Sequence, residues 1–520
     1  MRFYTQFGLT LSCLSVGLQA QTSDVATNAV TGASPLVATN QAVRPLSLPE
    51  AIQMAIEQNY TIAIARYEPA ISQYRLSGSY SYYEPTLNFS ATHNYNESEA
   101  SLFAGGAITI PGTKATTDRF GSSLTGVAPW GLSYELSGNS TRTFGSRGAT
   151  TFDEYASDAG ISLRQPLLKD FWINQNRLSI QLAKKDLKIS EYELLFQVMQ
   201  IVNQVQEAYY NLIAAQDLVK ARQVALDLAR RLVQENRQRV RVGTMAPLDE
   251  KQAESQAAQS EADLIQAQAN VIVNENILKN LITDNFESMY AVGIQPTDKL
   301  IAVPQGLDLQ DSWLKGLALR PDFNQLKMQL ERQGLIVKYD FNQLFPSLDL
   351  VGSYGRKGSD VLGVGTDASF SGSLADLRDE TAPRYSYGAV LSMPLTLRAE
   401  RNRYKADKAV LKQRELQVKR VHQDIMVNIQ TAVKTAQADY QSVQATRAAR
   451  EYAQVALDAE QKKYDNGKST PFVLLRLQRD LTDARAAEIS ALARYNIDLS
   501  NLAFQEGTIL DKNRVSIQFK

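Results

Sequence analysis

The amino-acid sequence predicts an α+β fold that is duplicated within one chain, with long antiparallel α-helical hairpins joined to amphipathic strands. The first observation is a helix break of the form Gly-x-x-x-Pro that occurs twice, at Gly243 and Pro247 and at Gly467 and Pro471, with 224 residues between equivalent positions. The second is a set of proline-led segments in each half where apolar and polar residues alternate. Because the order of elements repeats together with the breaks, the two halves are predicted to share one architecture.

The composition excludes several classes of protein. The 520 residues include 55 basic and 55 acidic side chains, a balance that gives no electrostatic reason to expect nucleic acid as a partner. The two histidines, His93 and His422, are too few for a histidine-rich metal site. No phosphate-binding loop or catalytic constellation occurs in the sequence. We therefore predict a protein that is not an enzyme and that binds no cofactor or metal.

The N-terminus predicts export. Arg2, the apolar run behind it and the small residue Ala20 indicate a signal peptide over residues 1–20. Acylation of Cys13, as in a lipoprotein, is the alternative. Residues 21–45 are predicted to be a flexible leader because they are rich in Ala, Thr, Ser and Asn and show no period. Cys13 is the only cysteine, so cleavage would leave a chain without disulfides or thiolate metal sites.

The first structural repeat is predicted over residues 46–284. Its elements are a helix at 46–82, strands at about 85–96 and 153–166, a long helix at 172–241, a tip at 242–247 and a return helix at 247–284. The first strand is predicted because Leu87, Phe89 and Tyr95 alternate with polar residues. Period two over about ten residues with aromatic ends is typical of a membrane-spanning barrel strand, and a soluble sandwich is the alternative.

The second structural repeat is predicted over residues 307–506, between a connector at 285–306 and a C-terminal tail at 507–520. Its elements are a helix at 310–343, strands at 346–356 and 384–395, a long helix at 398–465, a tip at 466–471 and a return helix at 471–506. Residues 363–373, between the two strands, are predicted to be an exposed loop.

The long helix of the first repeat contains no proline or glycine from Trp172 to Arg241. Apolar residues recur in it at intervals of seven, at Val198, Val205, Leu212, Val219, Leu226, Val233 and Val240. This period predicts a helix of about 105 Å that packs against neighbours along its whole length. Glutamines and asparagines lie beside this line of apolar residues. A helix that is apolar on one side and polar but uncharged on the other suits a wall between packed protein and a water-filled lumen. A solvated coiled-coil face is the alternative.

The two Gly-x-x-x-Pro breaks predict tight reversals at the far ends of the hairpins. Gly243 and Gly467 can adopt the left-handed conformation of a helix C-cap. Pro247 and Pro471 can begin the next helix, where a missing N–H has no consequence. Two such breaks at equivalent positions indicate that the two tips have equivalent roles.

Taken in this order, the duplicated elements resemble the outer-membrane efflux protein (TolC-like) family over about residues 46–506. The tip segments YDNGKSTP and RVGTMAP carry the resemblance, together with the proline-led strand starts at Pro85 and Pro346. The segments QPLL and MPLT, where a strand passes into a helix, also fit the pattern of the family.

The resemblance implies a homotrimer that closes one transmembrane β-barrel in the outer membrane of a Gram-negative-type envelope. Each chain of this family normally contributes four strands, and the helices continue the barrel as a tunnel (an α-barrel) across the periplasm. The implied function is a passive exit duct of a tripartite efflux or type I secretion system. The implied partners are outer-membrane lipid, a periplasmic adaptor protein and an inner-membrane pump. The alternative is a secreted coiled-coil structural or adhesive protein without a pore.

The resemblance also assigns roles to residues at the tips. The implied adaptor-docking residues are Gly243, Thr244, Pro247, Gly467, Lys468 and Pro471. Tyr464 and Asp249 occupy the positions of a tyrosine and an aspartate that can hold the tips closed. Ser469 replaces the arginine that can accompany them.

The possible tunnel constriction maps to Val473 and Arg476, where well-known members of the family have a ring of aspartates. A cation-binding constriction is therefore not expected, and three copies of Arg476 would favour anions. The alternative is an arginine that is solvated or paired with a neighbour such as Asp480.

The first repeat contains an insertion that the second lacks. From strand-start to strand-end proline, the first repeat spans 81 residues and the second 48, a difference of 33. The additional residues predict a hairpin at about 118–143, which turns at Pro129-Trp130-Gly131. Either this hairpin adds two strands per chain to the barrel, or it extends outside it.

Overall fold

The computed structural model describes residues 43–103, 105, 108–361, 367–379 and 383–515. The predicted signal peptide at 1–20, including Cys13, lies outside the described residues, and the predicted leader is described only from residue 43.

Ten strands and twelve α-helices lie within these ranges. The strands are β1 Val43–Leu46, β2 Thr86–Ser98, β3 Ser101–Phe103, β4 Ile108–Ile110, β5 Thr113–Val127, β6 Ser133–Arg147, β7 Thr150–Pro166, β8 Gly293–Pro296, β9 Ser347–Val361 and β10 Arg384–Ser392. The helices are α1 Leu48–Gln58, α2 Tyr60–Ala65, α3 Tyr67–Ser79, α4 Gln175–Arg241, α5 Pro247–Ile282, α6 Phe286–Met289, α7 Leu309–Leu319, α8 Pro321–Asn342, α9 Phe370–Asp379, α10 Arg398–Asp465, α11 Pro471–Gln505 and α12 Ile509–Lys512.

Six strands form one continuous antiparallel sheet in the order β10-β9-β7-β6-β5-β2. The inserted hairpin is the pair β5–β6, which lies between β2 and β7 and is hydrogen-bonded to both along its whole length. The insertion therefore extends the sheet, and this chain contributes six strands where the resemblance implied four. The pairing of β7 with β9 joins the two repeats.

Two of the predicted helices are interrupted, each for a local reason. The helix predicted at 46–82 breaks at Asn59, whose backbone is extended and whose side-chain oxygen accepts hydrogen bonds from the first N–H groups of α2. The helix predicted at 310–343 breaks at Arg320, because the residue before a proline, here Pro321, is disfavoured in the helical conformation.

Four segments predicted to be irregular contain regular structure. The end of the predicted leader forms β1, which pairs in parallel with β8 from the predicted connector. The predicted tail contains α12. Of the predicted exposed loop at 363–373, residues 363–366 lie outside the described residues, and α9 begins at Phe370. For β1 and β8 the missing signal is long-range, because the two strands are about 250 residues apart in sequence and a four-residue strand has no readable period.

The helices pack side by side in rows. Beside the sheet the order is α3-α4-α8-α10, and towards the tips it is α5-α4-α11-α10. The central helix α4 is common to both rows, and its buried residues join a large apolar core formed with α1, α2 and β8. No described helix is both long and apolar enough to cross a membrane.

Candidate functional site

The six-stranded sheet has two chemically different faces. Directly paired residues of neighbouring strands point to the same face, so the register sorts every side chain. On one face, here called the apolar face, large exposed side chains dominate: Leu87, Phe89, Phe120, Leu136, Ile161, Leu163, Leu350, Tyr354, Tyr385, Tyr387 and Leu391. An exposed apolar surface of this extent on one side of a sheet is typical of a wall in contact with lipid.

The opposite face, here called the polar face, carries hydroxyl, amide and charged groups. Along β2 it presents Thr86, Asn88, Ser90, Thr92, Asn94 and Asn96. Across the strands its groups bond to one another: Arg164 Nη2 donates to Asp349 Oδ2 at 2.6 Å, and Asn139 Nδ2 donates to Asp158 Oδ2 at 3.0 Å. Side chains that satisfy each other in this way suit a water-filled lumen.

The apolar face ends at a row of charged residues, here called the charged row. In order across the sheet, this row comprises His93, Asp118, Arg142, Tyr155 and Asp360. The Arg142 guanidinium donates two hydrogen bonds to Asp153, at 3.1 and 2.9 Å, and lies 4.4 Å from the centre of the Phe144 ring. Paired charges beside aromatic rings are what a membrane–water boundary requires.

Each long hairpin turns at its tip through the same backbone motif. Gly243 and Gly467 have φ of +73° and +69°, in the left-handed region. Thr244 N–H donates to Arg239 O at 2.9 Å, and Lys468 N–H donates to Lys463 O at 2.8 Å. These are the bonds of a Schellman motif, which satisfies carbonyls at a helix end. The next helices then begin at Pro247 and Pro471.

At the tips, the hydroxyl of Tyr464 links the second hairpin to the first. It donates to Asn236 Oδ1 at 2.7 Å, and the Arg239 guanidinium lies 4.3 Å from the centre of the tyrosine ring. Asn236 is fully buried, and its Nδ2 donates to the backbone carbonyl of Asp249 at 3.3 Å. Tyr464 is therefore bonded to Asn236 and not to the side chain of Asp249, with which the resemblance paired it. The sequence signals Asn236 only as an asparagine near the end of the heptad-patterned helix.

Ser469 and its neighbours form a second contact within the tip of the second hairpin. Ser469 Oγ donates to Glu460 Oε1 at 2.5 Å, and Lys463 Nζ lies 2.9 Å from the other carboxylate oxygen. The bond from Ser469, followed by the one from Lys463, holds the pKa of Glu460 below its ordinary value. These contacts brace the turn that presents Lys468, which is itself exposed.

The constriction candidates lie at the start of α11. Val473 and Arg476 are three residues apart and exposed, and Arg476 Nε lies 3.9 Å from Asp480 Oδ2. Their neighbours Leu474 and Leu475 are buried in the tip core with Tyr464. Arg476 also lines a groove between α11 and the first hairpin, together with Arg222 of α4 and Gln252 of α5.

A pair of carboxyl groups lies between α10 and α11, away from the tips. Burial and a hydrogen bond with the Asp439 carboxyl raise the pKa of Asp498 to about 7, against an opposing effect of Arg494. Asp498 is therefore protonated over much of the acidic range, where an ordinary aspartate is charged.

The sheet and the helical rows are both open at their ends. Within the part of the chain that the structure describes, the sheet ends at β2 on one side and at β10 on the other, and the helical rows end at α3 and α5 on one side and at α10 on the other. The end helices expose large apolar side chains, among them Tyr67 and Tyr74 on α3, Ile265 and Ile272 on α5, and Val427 and Val455 on α10. Unpaired strand edges and apolar helix sides at the same borders indicate surfaces that another chain covers.

A two-faced sheet joined to two long hairpins defines a channel-forming class of outer-membrane protein. The model of the family "Outer membrane efflux protein" matches residues 51–283 and 315–508, which is most of the chain. The chain therefore belongs to the outer membrane efflux protein family and is a protein of the outer membrane. This is a family of efflux channels rather than enzymes, and the predicted family and fold class are confirmed.

Solved structures share the fold at low sequence identity. The CmeC outer membrane channel of Campylobacter jejuni is 15% identical, with a TM-score of 0.63, over 91% of this chain and 90% of that one. The outer membrane protein VceC of Vibrio cholerae is 16% identical, with a TM-score of 0.63, over 88% and 96%. The open-state MtrE outer membrane channel of Neisseria gonorrhoeae is 16% identical, with a TM-score of 0.61, over 89% of both chains. No curated protein sequence matches the chain significantly.

Proposed function

We propose that three copies of this chain form the passive exit duct of a tripartite efflux or type I secretion system. The observation that carries the proposal is that the sheet and the helical rows are open at the same two borders of the chain. The first repeat supplies β2, α3 and α5 at one border, and the second supplies β10 and α10 at the other. A chain with two different complementary borders assembles head to tail into a ring.

In such a ring, β2 of one copy pairs with β10 of the next, and the sheets close a barrel whose lumen is lined by the polar face. Because each chain supplies a six-stranded sheet, the barrel is about one and a half times as wide as one built from four-stranded sheets. The apolar face then meets outer-membrane lipid, and the helical part extends into the periplasm as a tunnel.

The tips are the proposed docking site for a periplasmic adaptor protein that links the duct to an inner-membrane pump. The docking residues are Gly243, Thr244, Pro247, Gly467, Lys468 and Pro471. Both tips have the same Schellman backbone and a proline at the start of the next helix, so one adaptor surface can recognise both.

The tips also hold the proposed closure and constriction of the tunnel. Tyr464 closes the tip by tying the second hairpin to the first through Asn236, with Asp249 contributing its backbone carbonyl. Val473, which is exposed, and Arg476, which lines the groove between α11 and the first hairpin, form the constriction. Three copies of Arg476 would make the narrow point selective for anions.

The proposal is tested with the full chain purified in detergent and inserted into planar bilayers. A trimer that conducts ions is expected, and the tip variants described below should raise its conductance. A monomer that stays dispersed without detergent and does not conduct would favour the secreted coiled-coil protein instead, a function that the family match does not support.

A further inference from the structure

The short helix α9, between β9 and β10, lies against the apolar face of the sheet. Ser373 of α9 is fully buried, and its hydroxyl lies 2.9 Å from that of Ser157 on β7. Ser157 shares its face with Ile161 and Leu163, two and three alternate positions along the same strand. The helix therefore covers the side of the sheet that carries the large apolar residues, not the polar side.

The contact between α9 and the sheet is close and specific. A Cβ at Gly358 of β9 would lie 2.2 Å from the backbone nitrogen of Leu377 and 2.3 Å from the carbonyl of Ser373, so only glycine allows this approach. The Asp376 carboxylate accepts a hydrogen bond from Ser359 N–H at 2.8 Å. The Asp360 carboxylate accepts one from Ser369 N–H at 3.0 Å, just before the helix begins. Contacts at both ends thus hold α9 against the apolar face of the sheet.

The register gives the height of α9 on the sheet. Ser157 and Gly358 belong to one row of paired residues, which also contains the exposed Phe120 on β5. The next row is the charged row, and its member Asp360 binds the residue before α9. The helix therefore straddles the border at which the apolar face gives way to charge.

The outward side of α9 carries two large apolar side chains at this border, followed by the exposed charges of Arg378 and Asp379 at the end of the helix. Phe370 and Leu374 are one helical turn apart, and they are 46% and 43% exposed. We propose that α9 is an interfacial anchor whose Phe370 and Leu374 side chains contact the acyl chains of outer-leaflet lipid. An amphipathic helix at a membrane border buries its apolar side among acyl chains in this way. This inference rests on the proposed function, because it takes the apolar face to be the lipid-facing wall.

The position of α9 in the sheet favours lipid over a second copy of the chain as its partner. The helix packs on β7, an interior strand, and on β9, which β10 pairs with only as far as Gly355. The outward side of the helix points away from the sheet, whereas the copies in the proposed ring meet edge to edge at β2 and β10. The surface of α9 is also continuous with the apolar face, which places both in the same environment.

Spin labels at single cysteines test the proposal in proteoliposomes containing the full-length trimer. Cys13 is the only native cysteine and lies in the predicted signal peptide, so Phe370→Cys and Leu374→Cys each give the processed chain a single cysteine, and Cys13→Ser removes the native one from any unprocessed chain. The controls are Phe89→Cys on the apolar face and Asn88→Cys on the polar face of the same strand. The measured quantity is the rate at which each label collides with dissolved molecular oxygen, which is apolar, and with a water-soluble nickel chelate.

Labels at 370 and 374 should have an oxygen-to-nickel ratio close to that at 89 and severalfold above that at 88. A ratio like that at 88 would overturn the proposal in favour of a solvated helix. Labels that neither reagent reaches would overturn it in favour of a contact with another copy. If the label at 89 also reports water, the lipid-facing wall itself is wrong, and the proposed function fails with it.

A second measurement uses a substitution that keeps a bulky apolar side chain. The fluorescence that Leu374→Trp adds to that of the native Trp130, Trp172 and Trp313 should be quenched severalfold more by lipids brominated near the headgroup than the fluorescence added by Tyr452→Trp, an exposed position on α10. Equal quenching at the two positions would overturn the anchor.

Discussion

The long helices α4 and α10 occupy equivalent places in the two repeats, yet they have different surroundings. They contain 67 and 68 residues and end in the same Schellman motif. Buried residues occur along α4 from Leu178 to Asn236, whereas in α10 they begin only at Ile425. The helix α4 has neighbours on both sides, while α10 is the last helix of its row.

The exposed apolar side chains follow the same difference. On α10, Leu416, Val427, Tyr452 and Val455 are more than half exposed, whereas among the large apolar residues of α4 only Val224 is. The comparison teaches that one helical pattern can serve as the interior of a chain or as its border. In the proposed ring, a neighbouring copy covers α10 as α11 and α5 cover α4.

The largest effect is expected from placing charge on the open side of α10. Val427 and Val455 are four heptads apart and therefore share one side of a supercoiled helix. Glutamates at both positions would bury two charges in the contact between copies, and we expect a loss of trimer of about tenfold or more. Analytical ultracentrifugation in detergent measures this loss.

The matched control for that experiment is Val224→Glu on α4, which is also half exposed but lies within a row rather than at its end. This variant should keep the trimer. If it dissociates as completely as the α10 variant, the border assigned to α10 is wrong.

The next largest effect is expected from a cavity in the core of α4. Leu212 is fully buried there, so Leu212→Ala should destabilise the chain by about 2–5 kcal/mol. Leu416→Ala on α10 removes the same atoms from an exposed position and should change the thermal unfolding temperature of a dissociated chain much less. Comparable losses in the two variants would mean that α10 is as well covered within one chain as α4.

A smaller effect is expected at the tip, where α4 and α10 are linked by the Tyr464 hydroxyl. Tyr464→Phe keeps the ring beside Arg239 and removes only the hydrogen bond to Asn236, which is worth about 1–2 kcal/mol when buried. We therefore expect a severalfold rise in single-channel conductance or open time in planar bilayers, and the same from Asn236→Ala.

The control at the tip is Asp249→Ala, which leaves the backbone carbonyl that Asn236 contacts in place. Its conductance should change less than that of the Tyr464 and Asn236 variants. A larger change in the Asp249 variant would assign the closure to the carboxylate instead.

The smallest effect is expected from the carboxyl pair between α10 and α11. Because the pKa of Asp498 is raised to about 7, the folded chain binds this proton where the unfolded chain has lost it. The stabilisation is therefore present at about pH 4 and is lost as pH rises towards 7. Asp498→Asn should flatten the fall in thermal unfolding temperature between pH 4 and 7, by about 1–2 °C.

If the Asn variant shows the same pH profile as the native chain, another group causes the slope. Asp480→Asn, at an exposed position on α11, is the control and should leave the profile unchanged.

The local features of this protein could be predicted from its sequence alone. The turns at Gly243 and Gly467 follow from the left-handed backbone that glycine tolerates, and the starts of α5 and α11 follow from the missing N–H of proline. The heptads of α4 and the alternation along β2 express periods within one segment. From these the fold class, the duplication and the resemblance to the family could all be inferred.

The tertiary structure alone decided which segments meet. Whether the inserted hairpin joins the sheet depends on pairing with β2 and β7, and the partner of Tyr464 lies 228 residues away. The exposure of one side of α10 and the packing of α9 against Gly358 likewise depend on contacts between distant segments. Residue types determine local backbone conformation directly, whereas partners are selected by packing of the whole chain, which no single segment encodes.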